Sequence, residues 1–138
     1  PPYYSVCLFF KHKERIYVMA NVLVHIHSGP DLKNKATLGF LVAVNALKNK
    51  HDVTIFLAAD GVHLLNCNSP GQIVGEGTGD LKDHLDVLLK SKTKIYVSGM
   101  SAKARGYDDS LLTGYNAEFA MPDVIVNLSL EANSVLCY

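Results

Sequence analysis

Cysteine is scarce in this 138-residue chain: Cys7, Cys67 and Cys137 lie far apart, with no CxxC among them. An odd, dispersed set argues against a disulfide framework and points to a reducing, cytoplasmic compartment. An excess of charge of either sign is also missing, because thirteen basic residues balance thirteen acidic ones. Nothing then suggests a chain that lives on phosphate backbones or anionic lipid, so neither nucleic acid nor membrane is expected as a partner. No apolar run approaches the length needed to span a bilayer. Internal repeats and domain boundaries are absent as well.

What is present is apolar material for one real core, at 49% hydrophobic residues. Zero net charge on such a chain leaves little repulsion between copies and permits an oligomer. Residues 1–18, PPYYSVCLFFKHKERIYV, differ from the rest. The apolar run Val6–Phe10 precedes the basic cluster Lys11–Arg15, the reverse of a secretory signal. We read 1–18 as a leader or upstream extension and 19–138 as a single domain. Val6–Phe10 is expected to pack on something, such as a sheet edge or a neighbouring subunit.

The pattern then alternates. Asn21–His27 reads as a first strand ending in the turn Ser28-Gly29-Pro30-Asp31. Lys35–Lys48 reads as a helix apolar nearly all round, with one side for the sheet and the other for a partner subunit. Val53–Ala59 is a continuous apolar strand of the kind covered on both faces. Val62–Asn66 is expected to be a short helix and Asn68–Gly79 a glycine-rich loop. Asp80–Lys92 is amphipathic, with Leu81, Leu85, Leu88 and Leu89 inward. A helical turn at Asp108–Thr113, a strand near Asn116–Ala120 and a last strand at Ser134–Tyr138 follow. Asp123–Leu130 fits either period, and Pro122 at a first helical position favours a helix. Strands alternating with helices predict an α/β fold, a three-layer α/β/α sandwich with a mostly parallel sheet.

The stretch Lys94–Gly106, KIYVSGMSAKARG, organises the rest. A β-favouring run breaks at Ser98-Gly99 and passes into small helix-tolerant residues. The carboxyl end of such a strand is where α/β proteins bind ligands. A tight turn that merely needs small residues explains the same letters.

Other chemistries are weaker. His25 and His27 share one face of a strand, and Asp60, His63 and Cys67 are the obvious additions to a metal set, with His63 and Cys67 one helical turn apart. Core or near-core imidazoles account for the pair as well, and no metal and no cofactor is expected. Gly75-Glu76-Gly77-Thr78-Gly79 lacks the GK[ST] of a phosphate loop and does not directly follow a strand. Ser98 has no GxSxG frame. Cys67 is a candidate thiol if exposed, and otherwise a small buried apolar residue.

Four segments resemble the DsrE/DsrF-like family of small sulfur-relay proteins across Ala20–Tyr138. They are Ser28-Gly29-Pro30; Ala59-Asp60-Gly61-Val62; Val97-Ser98-Gly99-Met100-Ser101-Ala102-Lys103-Ala104-Arg105-Gly106; and Leu130–Tyr138. The third is the most specific. The resemblance implies a five-stranded parallel sheet, a helix at the ambiguous segment, and a homotrimer or homohexamer. Sulfur-carrying members hold a persulfide on a cysteine at the end of the third strand, where this chain has Ser98. A hydroxyl cannot carry a persulfide, so the relay chemistry does not transfer.

Two readings follow. One is an oligomer of undefined activity that binds a small molecule or a sulfur-relay protein partner where the first three strands end. Its site comprises Ser28, Gly29, Asp60, Gly61, Ser98, Gly99 and Met100, completed by the Gly71–Gly79 loop or a second subunit. The alternative is a sulfurtransferase-type thiol enzyme using Cys67.

Overall fold

Asn21–Ile26 forms β1, with Val24 and Ile26 sealed on one side and Leu23 on the other. The computed structural model describes residues 19–66 and 70–138, so the expectations for the leader, for Val6–Phe10 and for Cys67 lie outside the described residues. After β1 a 3-10 turn, Pro30–Leu32, leads into α1, Lys33–Lys48. The next strand, β2, is Asp52–Leu57, followed by a 3-10 helix at Ala59–Leu65. Val74–Gly75 (β3) and Gly79–Asp80 (β4) make a small hairpin. Then come α2 (Leu81–Lys90), β5 (Lys94–Ser98), α3 (Gly99–Ala104), β6 (Ala117–Ala120), α4 (Pro122–Glu131) and β7 (Ser134–Cys137).

The main sheet has the order β6-β5-β2-β1-β7, with every pair parallel. Parallel neighbours need crossovers, which the helices supply. Alternation along the strands divides the side chains between two faces. Val24, Ile26, Ile55, Leu57, Ile95 and Val97 join Phe40, Ala43 and Val44 of α1 and Leu81, Leu85 and Leu88 of α2 in the larger core. Leu23, Phe56 and Ala120 meet Val124, Ile125 and Leu128 of α4 on the opposite face. Full burial of a side chain such as Phe40 or Ile55 contributes about 1.5–3 kcal/mol, so the larger core dominates stability.

Two local expectations gain detail. The short helix expected at Val62–Asn66 is present as part of a 3-10 helix over Ala59–Leu65, in which residues three apart eclipse. That geometry brings His63 and Asn66 to one side. The Asn68–Gly79 stretch is more than a loop. Asn34 Oδ1 accepts from Glu76 N at 2.8 Å, the Thr37 and Thr78 hydroxyls bond at 2.5 Å, and His84 Nε2 donates to the Thr78 carbonyl at 2.8 Å. These bonds clamp the hairpin on α1 and α2.

Candidate functional site at the carboxyl ends of the strands

The carboxyl ends of β7, β1, β2 and β5 line up along one edge of the sheet. At this edge β1 runs out into His27 and Ser28, and β2 into Ala58–Asp60. Ala59 takes a left-handed backbone, φ 50°, unusual for a residue with a Cβ. Such a conformation costs on the order of 1 kcal/mol or more and persists only when its surroundings hold it. Here the Ala59 N–H donates to Ser101 Oγ at 2.9 Å.

That bond is one of several tying the segment after β2 to the segment after β5. Arg105 donates to Asp60 Oδ1 from Nε at 3.2 Å and from Nη2 at 2.9 Å, and from Nη1 to the Ser101 carbonyl at 3.1 Å. Further along, Tyr107 OH lies 2.6 Å from His63 Nδ1 and accepts from Asn66 Nδ2 at 3.3 Å. Ser98 caps α3, its Oγ accepting from Ser101 N at 3.2 Å. Asp60 and Ser98 therefore belong to one network through Ser101 and Arg105.

A cleft of about 370 Å³ opens beside this network. Ser28, Gly29 and Asp60 line it, together with His27, Asp31, Leu32, Lys35, Cys137 and Tyr138. Gly61, Ser98, Gly99 and Met100 do not line it, nor does any residue of the Gly71–Gly79 segment. Ser28 is only 6% exposed, and its hydroxyl has no hydrogen-bond partner among the described residues. Asp31 and Lys35 bring opposite charges without an ion pair among the described residues. Asp60 is 61% exposed at the side chain and already neutralised on one oxygen by Arg105. The cleft thus offers one cation, carboxylates and a serine hydroxyl.

Two glycines at this edge allow a close approach of backbone. A Cβ on Gly29 would stand 2.7 Å from the Asp60 carbonyl, and one on Gly61 would stand 2.3 Å from that of Ile26. Both are needed so that the ends of β1 and β2 can approach each other. They shape the floor of the edge, and Gly29 also lines the cleft.

On the face under α4, the register aligns Cys137, His25, Phe56, Tyr96 and Glu118 in one row across five strands. His25 and His27 ring centroids are 3.9 Å apart, and Phe56 meets His25 edge-on at 5.3 Å. Instead of a hydrogen bond, His25 Nε2 has no partner and is buried. Burial, and secondarily the neighbouring His27, lower the His25 pKa to about 4, so the ring is neutral at pH 7. Among the described residues no group of three metal-ligating side chains comes together.

Sequence reasoning missed His27, Asp31, Lys35, Cys137 and Tyr138 as cleft residues. The closing strand carries the last two, and only its pairing with β1 brings them to this edge. The turn Ser28–Asp31 was the visible signal for the others.

The comparisons agree with this architecture. The E. coli ychN protein has a similar crystal structure, with a TM-score of 0.66, 19% identity, and coverage of 88% of this chain and 100% of that one. At that identity the likeness shows the fold alone. No curated protein sequence matches the chain. A family model described as DsrE/DsrF-like matches residues 20–138, the whole sheet and every helix described above, and the chain belongs to that family.

Proposed function

We propose that this protein binds a small molecule at the strand-end cleft and acts as a DsrE/F-like ligand- or partner-binding protein, not as a persulfide carrier at Ser98. The observation that carries the reading is the cleft at the strand ends, which brings the Ser28 hydroxyl together with Lys35, Asp31 and Asp60. At Ser98 the hydroxyl is spent on capping α3. The full site we infer keeps Ser28, Gly29 and Asp60 in contact with ligand. Gly61, Ser98, Gly99 and Met100 then act as its supporting wall, through Ser101 and Arg105.

The protein in this reading is cytoplasmic and homo-oligomeric, as a trimer or hexamer. No described helix is long and apolar enough to cross a membrane. The outer side of α4 supports self-association: it has no buried residue, and Leu130 is 80% and Val126 54% exposed. A relay protein remains a fitting partner for the same edge.

The test is native mass spectrometry of protein as purified, together with amide shift mapping against a panel of small zwitterionic metabolites. Retained ligand, or shifts centred on residues 27–35, 60 and 137–138, supports the reading. A clean apo mass with shifts at none of these positions overturns it. Persulfide loading from a sulfur donor with the adduct mapped to Cys67 would replace it with the thiol-enzyme alternative.

A further inference from the structure

The two faces of the sheet are not equally covered. α1 and α2 both pack on the face of Ile55 and Leu57, whereas among the described residues α4 is the one helix that meets Leu23 and Phe56 on the other. A helix of 10 residues leaves ground bare there. Where β1 and β2 begin, a cleft of about 310 Å³ lies between the sheet and the end of α4, at the opposite ends of the strands from the site above. Leu23, Leu128 and Ala132 give it apolar lining, and Asp52 and Glu131 stand beside them. Alternation along β2 sends Asp52 to the same face as Phe56, the face that α4 covers.

The charges of this cleft call for a cation. Asp52 and Glu131 are exposed, and neither makes an ion pair among the described residues. Glu131 is also the last residue of α4, whose final turn has no basic residue. A negative charge at the negative end of a helix is unfavourable, and a cation placed there is stabilising. The chain itself holds a segment that is both apolar and basic. Val6–Phe10 is followed by Lys11, Lys13 and Arg15, with Glu14 the one acidic residue among them. The leader joins the described chain at Met19, two residues before Asn21, which lines the cleft. Residues 11–18 can reach at most about 29 Å, which is ample for a return to a cleft at that point. A tether that short sets an effective concentration on the order of millimolar, so even a modest contact is filled. We propose that Val6–Phe10 lies in this cleft of its own molecule, with Lys11, Lys13 and Arg15 against Asp52 and Glu131. The leader then completes the cover of the second face of the sheet.

Carbodiimide cross-linking joins a lysine to a carboxylate where the two are in contact, and so reads this arrangement directly. Unlabelled and ¹⁵N-labelled full-length protein are mixed in equal amounts, unfolded and refolded together, cross-linked and peptide-mapped. The Lys94–Glu118 ion pair, 3.0 Å apart, is the internal standard. We expect links from Lys11 or Lys13 to Asp52 or Glu131, each within one isotope population. Phe9→Ser/Phe10→Ser removes the apolar part of the contact and no charge. It should reduce those links about tenfold, a loss of about 1.4 kcal/mol, and leave the standard unchanged. In amide spectra the same substitution should shift residues 21–23, 52–54 and 128–132 and leave residues 27–35 in place.

Links of mixed isotope composition would put the leader on a neighbouring copy and overturn the proposal. A normal Lys94–Glu118 link with none from the leader to Asp52 or Glu131 overturns it as well, and leaves the cleft to another occupant. So does a Phe9→Ser/Phe10→Ser protein that cross-links as its parent does, since charge alone would then hold the segment. None of these outcomes bears on the strand-end cleft, which amide shifts at residues 27–35 report separately.

Discussion

Arg105 commits two nitrogens to a single oxygen of Asp60, at 3.2 and 2.9 Å, and so ties the turn after β2 to the helix after β5. Both partners keep solvent contact, with side-chain exposures of 27% and 61%. Water screens such a pair, and its contribution to stability is small, about 1 kcal/mol or less. Arg105→Ala should shift the urea midpoint only slightly while loosening the position of Asp60. A loss above about 3 kcal/mol would show instead that the pair is a buried keystone.

Gly61 presents the opposite case, a contact without charge and without tolerance. An alanine there would put its Cβ 2.3 Å from a backbone oxygen of β1, whereas Gly71 has nothing within 4 Å of that position. Gly61→Ala should cost more than about 2 kcal/mol, because backbone and not a flexible side chain must move. Gly71→Ala should be near neutral by the same denaturation measurement. Equal effects at the two sites would contradict the close approach of β1 and β2.

His25 supplies a pH dependence. Its folded pKa is lowered to about 4, chiefly by burial, from an ordinary value of 6.5. The unfolded chain therefore binds more protons between those values, and stability rises with pH across that window. The contribution is fully present above pH 6.5 and is lost as pH falls to about 4. Allowing for partial solvent contact, it amounts to about 2 kcal/mol. Subtracting the pH-stability curve of His25→Asn from that of the wild type should isolate this slope. A flat difference across the window would remove His25 as its source.

Self-association should respond to the outer strip of α4. Val126 and Leu130 together expose a large apolar surface on one helix. Val126→Lys/Leu130→Lys should convert a trimer or hexamer to smaller species in sedimentation velocity with little loss of thermal stability, because neither side chain is in a core. An unchanged sedimentation coefficient would place the contact elsewhere, with α1 as the next surface to test. Its Leu38 is also exposed.

The alternation of strands and helices was legible because burial on two sides demands continuous apolar runs such as Val53–Leu57, and one-sided burial demands the spacing of Leu81, Leu85 and Leu88. Pro122 likewise announced the start of α4. The 3-10 winding after Ala59 was not legible, since it depends on a left-handed residue held by Ser101, forty-two positions away. The hairpin at 74–80 was hidden because its stability lies in bonds to Asn34, Thr37 and His84, not in its own composition. For the site, the turn residues Ser28, Gly29 and Asp60 stood out as chemistry. Lys35 and Cys137 did not, because a charge on a helix and a thiol on a terminal strand gain meaning only from strand order.

The strand order also sets a sequence of events. β1 waits between β2 and β7, and the bond from Asn21 N to Asn133 Oδ1 spans 112 positions. Pairing over such a separation comes late, after the local crossovers have formed. Until β7 docks, one edge of β1 is an open row of donors and acceptors, available to any other extended chain. The residues that close the cleft, Cys137 and Tyr138, arrive with that same docking. A newly made molecule thus completes its cleft and covers the edge of β1 in one event, so a fault in β7 would expose that edge to other chains as well as open the cleft.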